Sequence, residues 1–208
     1  MKLASLKSGR DGRLVVVSDD LRTMAPADGI APTLQAALDD WRRCAPKLHD
    51  LAAALAAGNC RDATPFDATK CSAPLPRAYQ WADGSVYLNH MELVRRARGA
   101  EMPATFRSDP LIYQGGSDAL LGPHDDIALA DDSWGIDLEA EIAVITDDVP
   151  MGVSREAARG HIRLVMLAND VSLRNLIPGE TDALAKKKGV KRSELIASFV
   201  IAGLRRAG

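Results

Sequence analysis

The chain has 208 residues, 47% of them hydrophobic and 26% charged, with a formal net charge of −2. That composition supports one core with a small appended domain. No apolar run approaches the length of a membrane span and the N-terminus Met1-Lys2-Leu3-Ala4 lacks the apolar core of a signal peptide, so a membrane-spanning or exported protein is disfavoured and the cytoplasm is the expected compartment.

Residues 2–6 and 14–18 read as strands joined across the turn Gly9-Arg10-Asp11-Gly12, a hairpin. After a proline-bounded loop, Thr33 caps a helix over residues 33–41 with apolar residues at helical spacing, and Pro46 is expected to end it. A second, alanine-rich helix over residues 48–57 closes at Gly58-Asn59. Pro65, Pro74 and Pro76 disfavour regular structure between residues 62 and 77, which places a domain boundary near residue 70. Cys44, Cys60 and Cys71 are odd in number, with no C-x-x-C spacing and no histidine at zinc-finger distance, so neither a disulfide framework nor a zinc site is indicated.

Residues 81–96 read as a turn followed by a helix that Asp83 caps, with His90 two turns along on roughly the same face. Taken by themselves these are an N-cap and a surface histidine. Residues 106–116 read as a loop, a short strand and the turn Gly115-Gly116, where missing side chains let a ligand approach the backbone. Residues 125–129 and 137–146 are expected to form one β meander. Over residues 137–146 polar and apolar side chains alternate, which puts Asp137, Glu139 and Glu141 on one face and Ile136, Leu138, Ala140, Ile142 and Val144 on the other. Neighbouring carboxylates repel, and a bound cation or proton relieves them; plain solvation of the face is the alternative. Ser154 caps a short helix over residues 155–160, and a strand over residues 162–168 ends at Asn169-Asp170, where the acid serves as a ligand or as a cap of the next turn.

Asp83 and His90, the loop Pro110-Leu111-Ile112-Tyr113-Gln114-Gly115, the Glu139/Glu141 pair and Asn169-Asp170-Val171-Ser172-Leu173-Arg174 together resemble the fumarylacetoacetate hydrolase family in order and spacing, over about residues 1–180. The resemblance implies an α+β, mainly β fold: a mixed β-sandwich roll with a small N-terminal domain. It also implies a Mg²⁺ or Ca²⁺ ion held by Asp83, Glu139, Glu141 and Asp170, and an all-carboxylate set does suit a hard cation. His90 takes the place of the family's general base, Tyr113 that of a substrate contact, and Arg174 is expected to bind substrate. The implied reaction is hydrolysis of a carbon–carbon bond in a β-diketo acid of the acylpyruvate type, in aromatic or oxo-acid catabolism, with relatives that decarboxylate, hydrate or isomerise oxo acids. A homodimer is expected.

The resemblance read from these motifs ends near Gly179-Glu180, where family members continue with a substrate-binding lysine and glycine-rich strands. The family domain is therefore expected to be incomplete, giving residues 1–70 as N-terminal domain, 71–180 as truncated catalytic domain and 181–208 as a tail. The tail carries seven basic residues (Lys186, Lys187, Lys188, Lys191, Arg192, Arg205 and Arg206) against Asp182 and Glu194, a net charge of +5 that leaves −7 on residues 1–180. It reads as two helices about Gly189, and Lys188-Gly189-Val190-Lys191-Arg192-Ser193-Glu194-Leu195-Ile196 resembles the helical part of ribbon-helix-helix DNA-binding proteins without the strand that reads bases. A solvated basic tail is the simpler reading, and nucleic acid is not expected as a partner. A metal-binding or metabolite-binding remnant without turnover is the alternative to the hydrolase.

Overall fold

Aliphatic residues concentrated in two short runs build the first sheet. The computed structural model describes residues 1–97, 99, 101–109, 111–176 and 186–189. In it β1 (Lys2–Leu6) and β2 (Arg13–Val17) form the expected antiparallel hairpin, with Leu6 opposite Arg13. The turn needs glycine at position 12, where φ is +71° and a Cβ would lie 2.8 Å from the Cβ of Ser5. β3 (Thr23–Pro26) pairs with the other edge of β2, whose Leu14, Val15, Val16 and Val17 are all buried, so this strand is covered on both faces.

Thr33 caps α1 (Leu34–Asp39) as expected, its hydroxyl accepting the N–H of Ala36 at 3.1 Å. The helix break then falls at Asp40 and not at Pro46, which lies inside α2 (Trp41–Ala56). The reason is packing: Cys44 and Leu48 are wholly buried and Leu55 nearly so, one stripe at helical spacing whose burial outweighs the backbone bond that proline cannot make. The end at Gly58-Asn59 holds. Gly58 is left-handed at φ +70°, and the N–H of Asn59 bonds the carbonyl of Ala54 at 2.9 Å, the Schellman pattern.

β4 (Thr64–Pro65) completes an antiparallel sheet of order β1-β2-β3-β4. The free side of β1 is then taken by the chain after residue 69. Lys7 N–H bonds the carbonyl of Lys70 at 2.8 Å, Ser72 N–H bonds that of Ser5 at 2.8 Å, and the fully buried Ser5 hydroxyl donates to the carbonyl of Pro74 at 2.7 Å. Arg77 closes the run with a two-pronged pair on Asp11, at 2.8 and 2.6 Å. The proline-rich connection is thus irregular, as expected, but fastened to the N-terminal sheet.

The chain divides into two compact units at Asp125, residues 1–125 and 126–208, so the small N-terminal region expected to end near residue 70 is a part of the first unit. Also in that unit, β5 (Trp81–Gly84) and β6 (Ile112–Gly115) form an antiparallel pair, and α3 (Leu88–Ala97) lies between them in sequence. In the second unit, β7 (Ile136–Asp137), β8 (Ala140–Thr146), α4 (Arg155–Arg159), β9 (Ile162–Asn169) and β10 (Ser172–Leu173) follow in order. Ser154 caps α4 as expected, its hydroxyl accepting the N–H of Ala157 at 3.2 Å. Residues 125–129 form no strand, so the expected meander reduces to the antiparallel pairings β7–β10 and β8–β9.

The architecture is a mixture of helices and several small sheets, α+β in class. Among the described residues no helix is long and apolar enough to cross a membrane. Residues 186–188 are helical as read from the sequence; the rest of the expected tail helices, and most of the segment that resembles a DNA-binding helix, lie outside the described residues.

Candidate functional site

Side chains of opposite strands face one another only if register holds, and in the second unit it holds across an interruption. Asp137 is opposite Ser172 in β7–β10, and Ala140 is opposite Asn169 in β8–β9, so the two pairings are one antiparallel register broken at Leu138 and Glu139. The continuous strand expected over residues 137–146 is therefore two. At the break the N–H of Asp170 still bonds the carbonyl of Glu139 at 3.0 Å, while the N–H of Glu139 turns to the side-chain oxygen of Asn169 at 3.2 Å. A side-chain amide thus replaces a ladder carbonyl beside the acid.

The register sets Glu139 across from Asp170 and Glu141 across from Ala168. With side chains alternating, Asp137, Glu139, Glu141 and Asp170 share a face. Three sequence-predicted acids are thereby brought onto one side of one pair of strands. The burial of that side differs from what its polarity suggests. Glu139, Glu141 and Ala143 are half-buried and Ile145 buried, whereas Leu138, Ile142, Val144, Val165 and Leu167 on the opposite side are 67%, 60%, 50%, 67% and 82% exposed.

Like charges directly opposite on a sheet are destabilising, and here cationic and hydroxyl donors offset them. Arg174 donates from Nε to Asp137 Oδ2 at 2.9 Å and from Nη2 to Glu139 Oε1, and the Ser172 hydroxyl donates to the same Glu139 oxygen at 2.7 Å. The side chains of Arg174 and Glu139 are 24% and 12% exposed, so this pair is partly withdrawn from water. Burial works against the charge of Arg174, but its bond to Asp137 and the nearby charges of Glu139 and Asp137 prevail and hold the guanidinium above the ordinary arginine range. Sequence reading placed Arg174 on substrate; the structure places its guanidinium on two carboxylates. The sequence does not reveal Asp137 as a partner of Arg174, nor Ser172 and Asn169 as partners of Glu139, because these contacts depend on how residues 137–141 pair with residues 168–172.

The remaining predicted residues belong to the first unit. Asp83 is not a helix cap: it lies in β5, directly across from Tyr113 in β6, and α3 begins only at Leu88. The offset of seven residues thus spans a strand end, a three-residue irregular connection and a helix start, so Asp83 and His90 do not share a helix face. His90 is exposed in the first turn of α3, which Met91, 5% exposed, anchors. Gly115 also differs from its reading. A Cβ there would come within 2.9 Å of Trp81 Cδ1, so the open space belongs to the indole of its cross-strand partner and not to a ligand.

Among the described residues no three His, Cys, Asp or Glu side chains form a cluster that encloses a metal ion. The donor chemistry of the second unit nevertheless fits a hard divalent cation: Glu139, Glu141 and Asp170 supply only carboxylate oxygens, on one face, and such a set suits Mg²⁺ or Ca²⁺.

Comparison with known families gives two matches. Residues 1–77 match the fumarylacetoacetase N-terminal domain 2, a span that ends at the Arg77 paired with Asp11, and residues 80–203 match the fumarylacetoacetate hydrolase C-terminal domain. The second match runs past Gly179-Glu180, where the resemblance read from motifs stops, and through most of the basic segment. No curated protein matches the chain.

Proposed function

The chain belongs to the fumarylacetoacetate hydrolase family, whose domains are typically enzymatic, acting as hydrolases, isomerases or decarboxylases, and on that premise we propose that it hydrolyses a carbon–carbon bond of a small β-diketo acid of the acylpyruvate type. The observation that supports this reading is the shared face of Glu139, Glu141 and Asp170 within the matched domain. These three acids and Asp83 are the proposed holders of Mg²⁺ or Ca²⁺. When bound, such an ion supplies Lewis-acid polarisation of a substrate oxygen.

The chain's own groups have separate tasks. His90 accepts a proton from the attacking water, the role that an imidazole most often fills in general acid–base catalysis. Tyr113 contacts substrate from β6, where its pairing with Asp83 fixes its position along the strand. Aromatic or oxo-acid catabolism and a cytoplasmic setting belong to the same proposal, as does completion of a mainly β sandwich roll. So does a homodimer, which the exposed Ile142, Val144, Val165 and Leu167 support, because an apolar sheet face of this kind favours association.

The test is turnover of acylpyruvates by the purified chain with Mg²⁺ or Ca²⁺, beside calorimetric titration of each ion. His90→Asn is expected to lower the rate by about 10² to 10⁴, the usual contribution of a general base. Glu141→Gln is expected to abolish ion binding. Full activity of His90→Asn, or equal ion binding by Glu141→Gln, refutes these assignments.

A further inference from the structure

Of the six methionines, Met151 is fully exposed, at 102%, whereas Met1, Met24, Met102 and Met166 are half-buried and Met91 is 5% exposed. The reason is local. β8 ends at Thr146, and the chain reaches α4 through a turn over residues 150–153, closed by the N–H of Val153 on the carbonyl of Pro150 at 3.2 Å. Gly152 supplies its left-handed corner at φ +73°, and a Cβ there would meet nothing within 4 Å. Val149 on the approach is itself 44% exposed. The turn therefore holds the thioether of Met151 out in water.

A thioether in that position gives an electron pair to the oxygen of a peroxide, and access decides which sulfur of a folded chain does so first. The thiols compete poorly. Cys44 and Cys71 are buried, burial pushes the Cys71 thiol up and so away from the reactive thiolate, and Cys60 is partly open. We propose that Met151 is a reversible oxidation site. Hydrogen peroxide transfers one oxygen to its Sδ, the O–O bond breaks and water leaves, so the sulfur is oxidised and the peroxide reduced. A dithiol-dependent methionine sulfoxide reductase restores the thioether, its thiols closing to a disulfide while the oxygen departs as water. Both steps act on the folded chain, because a side chain so exposed needs nothing to open before it is reached. The sulfoxide makes the tip of the turn polar and leaves the core intact, whereas the same oxygen on Met91 would disturb the buried side of α3.

The test is to add low doses of hydrogen peroxide to the full chain and to follow the oxygen at each methionine and cysteine by peptide mapping with mass spectrometry. Met151 sulfoxide is expected to accumulate ahead of the sulfoxides of Met24, Met102 and Met166, with Met91 last. In urea the methionines should react at comparable rates, which assigns the native order to the fold. A methionine sulfoxide reductase with dithiothreitol should then reduce Met151 as fast in the folded chain as in the unfolded one. The Tm of the chain oxidised at Met151 should equal that of the untreated chain, and Met151→Leu should remove the first-formed sulfoxide, again without a change in Tm. Native oxidation of Met24, Met102 or Met166 as fast as that of Met151 overturns the proposal, as does an order unchanged by urea. Reduction of Met151 only after unfolding, or a Tm that falls when Met151 alone is oxidised, overturns the claim that the oxygen comes and goes on the folded protein.

Discussion

Replacing Pro46 with alanine should stabilise the first unit. The proline sits six residues into α2 with its ring exposed, so its removal costs almost no buried surface. An alanine N–H at that position would bond the carbonyl of Arg42, four residues earlier, and the clash of the ring with that carbonyl would vanish. Proline in a helix interior is about 3 kcal/mol less favourable than alanine. Against this, alanine frees the unfolded chain, at a cost of about 0.4–1 kcal/mol. The net expectation is a gain of about 2 kcal/mol, which corresponds to a rise in Tm of roughly 5–10 °C for a unit of this size. Thermal and urea unfolding followed by far-ultraviolet circular dichroism would read it, with the urea slope unchanged. The companion variant Leu48→Ala should lose about 2–5 kcal/mol, because Leu48 is wholly buried in the same helix. A Tm that is unchanged or lower in Pro46→Ala would refute the claim that side-chain packing holds α2 together against a backbone defect.

Three further outcomes follow from particular contacts. Gly115→Ala should displace the Trp81 indole, seen as changed near-ultraviolet circular dichroism and tryptophan fluorescence, with a loss of about 1–3 kcal/mol typical of overpacking; unaltered spectra would show that the ring tolerates a methyl group at 2.9 Å. Ser5→Ala leaves the Pro74 carbonyl without its donor in a buried setting and should cost about 1–3 kcal/mol by denaturant unfolding, against little effect from Ser8→Ala in the exposed turn. Burial opposes ionisation of Asp147, but bonds from Arg163 and His161 prevail and hold its carboxyl below the usual range. Its contribution to stability is thus present above the unfolded aspartate pKa near 4 and lost as pH falls through the lower folded value, so Asp147→Asn should flatten the decline in Tm below about pH 4. An equally steep decline in the variant would assign that acid limb to other groups.

Local signals were legible wherever a residue acts on its own neighbours. Thr33 and Ser154 cap their helices and Gly58 ends one because each requires only three or four residues of context. The strands 2–6 and 162–168 were readable for the same reason. Pro46 misleads because the compensating burial of Cys44 and Leu48 depends on a sheet elsewhere in sequence. Asp83 misleads because an acid before an apolar periodic segment looks like a cap, while its actual partner strand lies some thirty residues on, at Tyr113. In the candidate site the common face of Glu139 and Glu141 was visible from period two, and the place of Asp170 from its position past a strand end. The attachment of Arg174 to Asp137 and Glu139 was not, since it depends on the register of two strands and on the break between them. The exposure of Ile142 and Leu167 could not be read from alternation either, because alternation divides a strand into two faces without saying which one is covered.

The fastening of residues 70–77 along β1 also has a consequence for the order of events during synthesis. The bonds between Ser5 and Pro74 and between Asp11 and Arg77 join positions 69 and 66 residues apart, so a nascent chain that has exposed β1, β2 and β3 outside the ribosome still lacks the segment that covers the free side of β1. At about 5–20 residues per second, and with a further stretch needed to clear the exit tunnel, that hairpin waits several seconds with its backbone donors and acceptors open. Arrested nascent chains released at residue 60 should therefore be cut readily by protease within β1, and those released at residue 80 should resist. The first family-matched span ends at Arg77, the residue with which that latch closes.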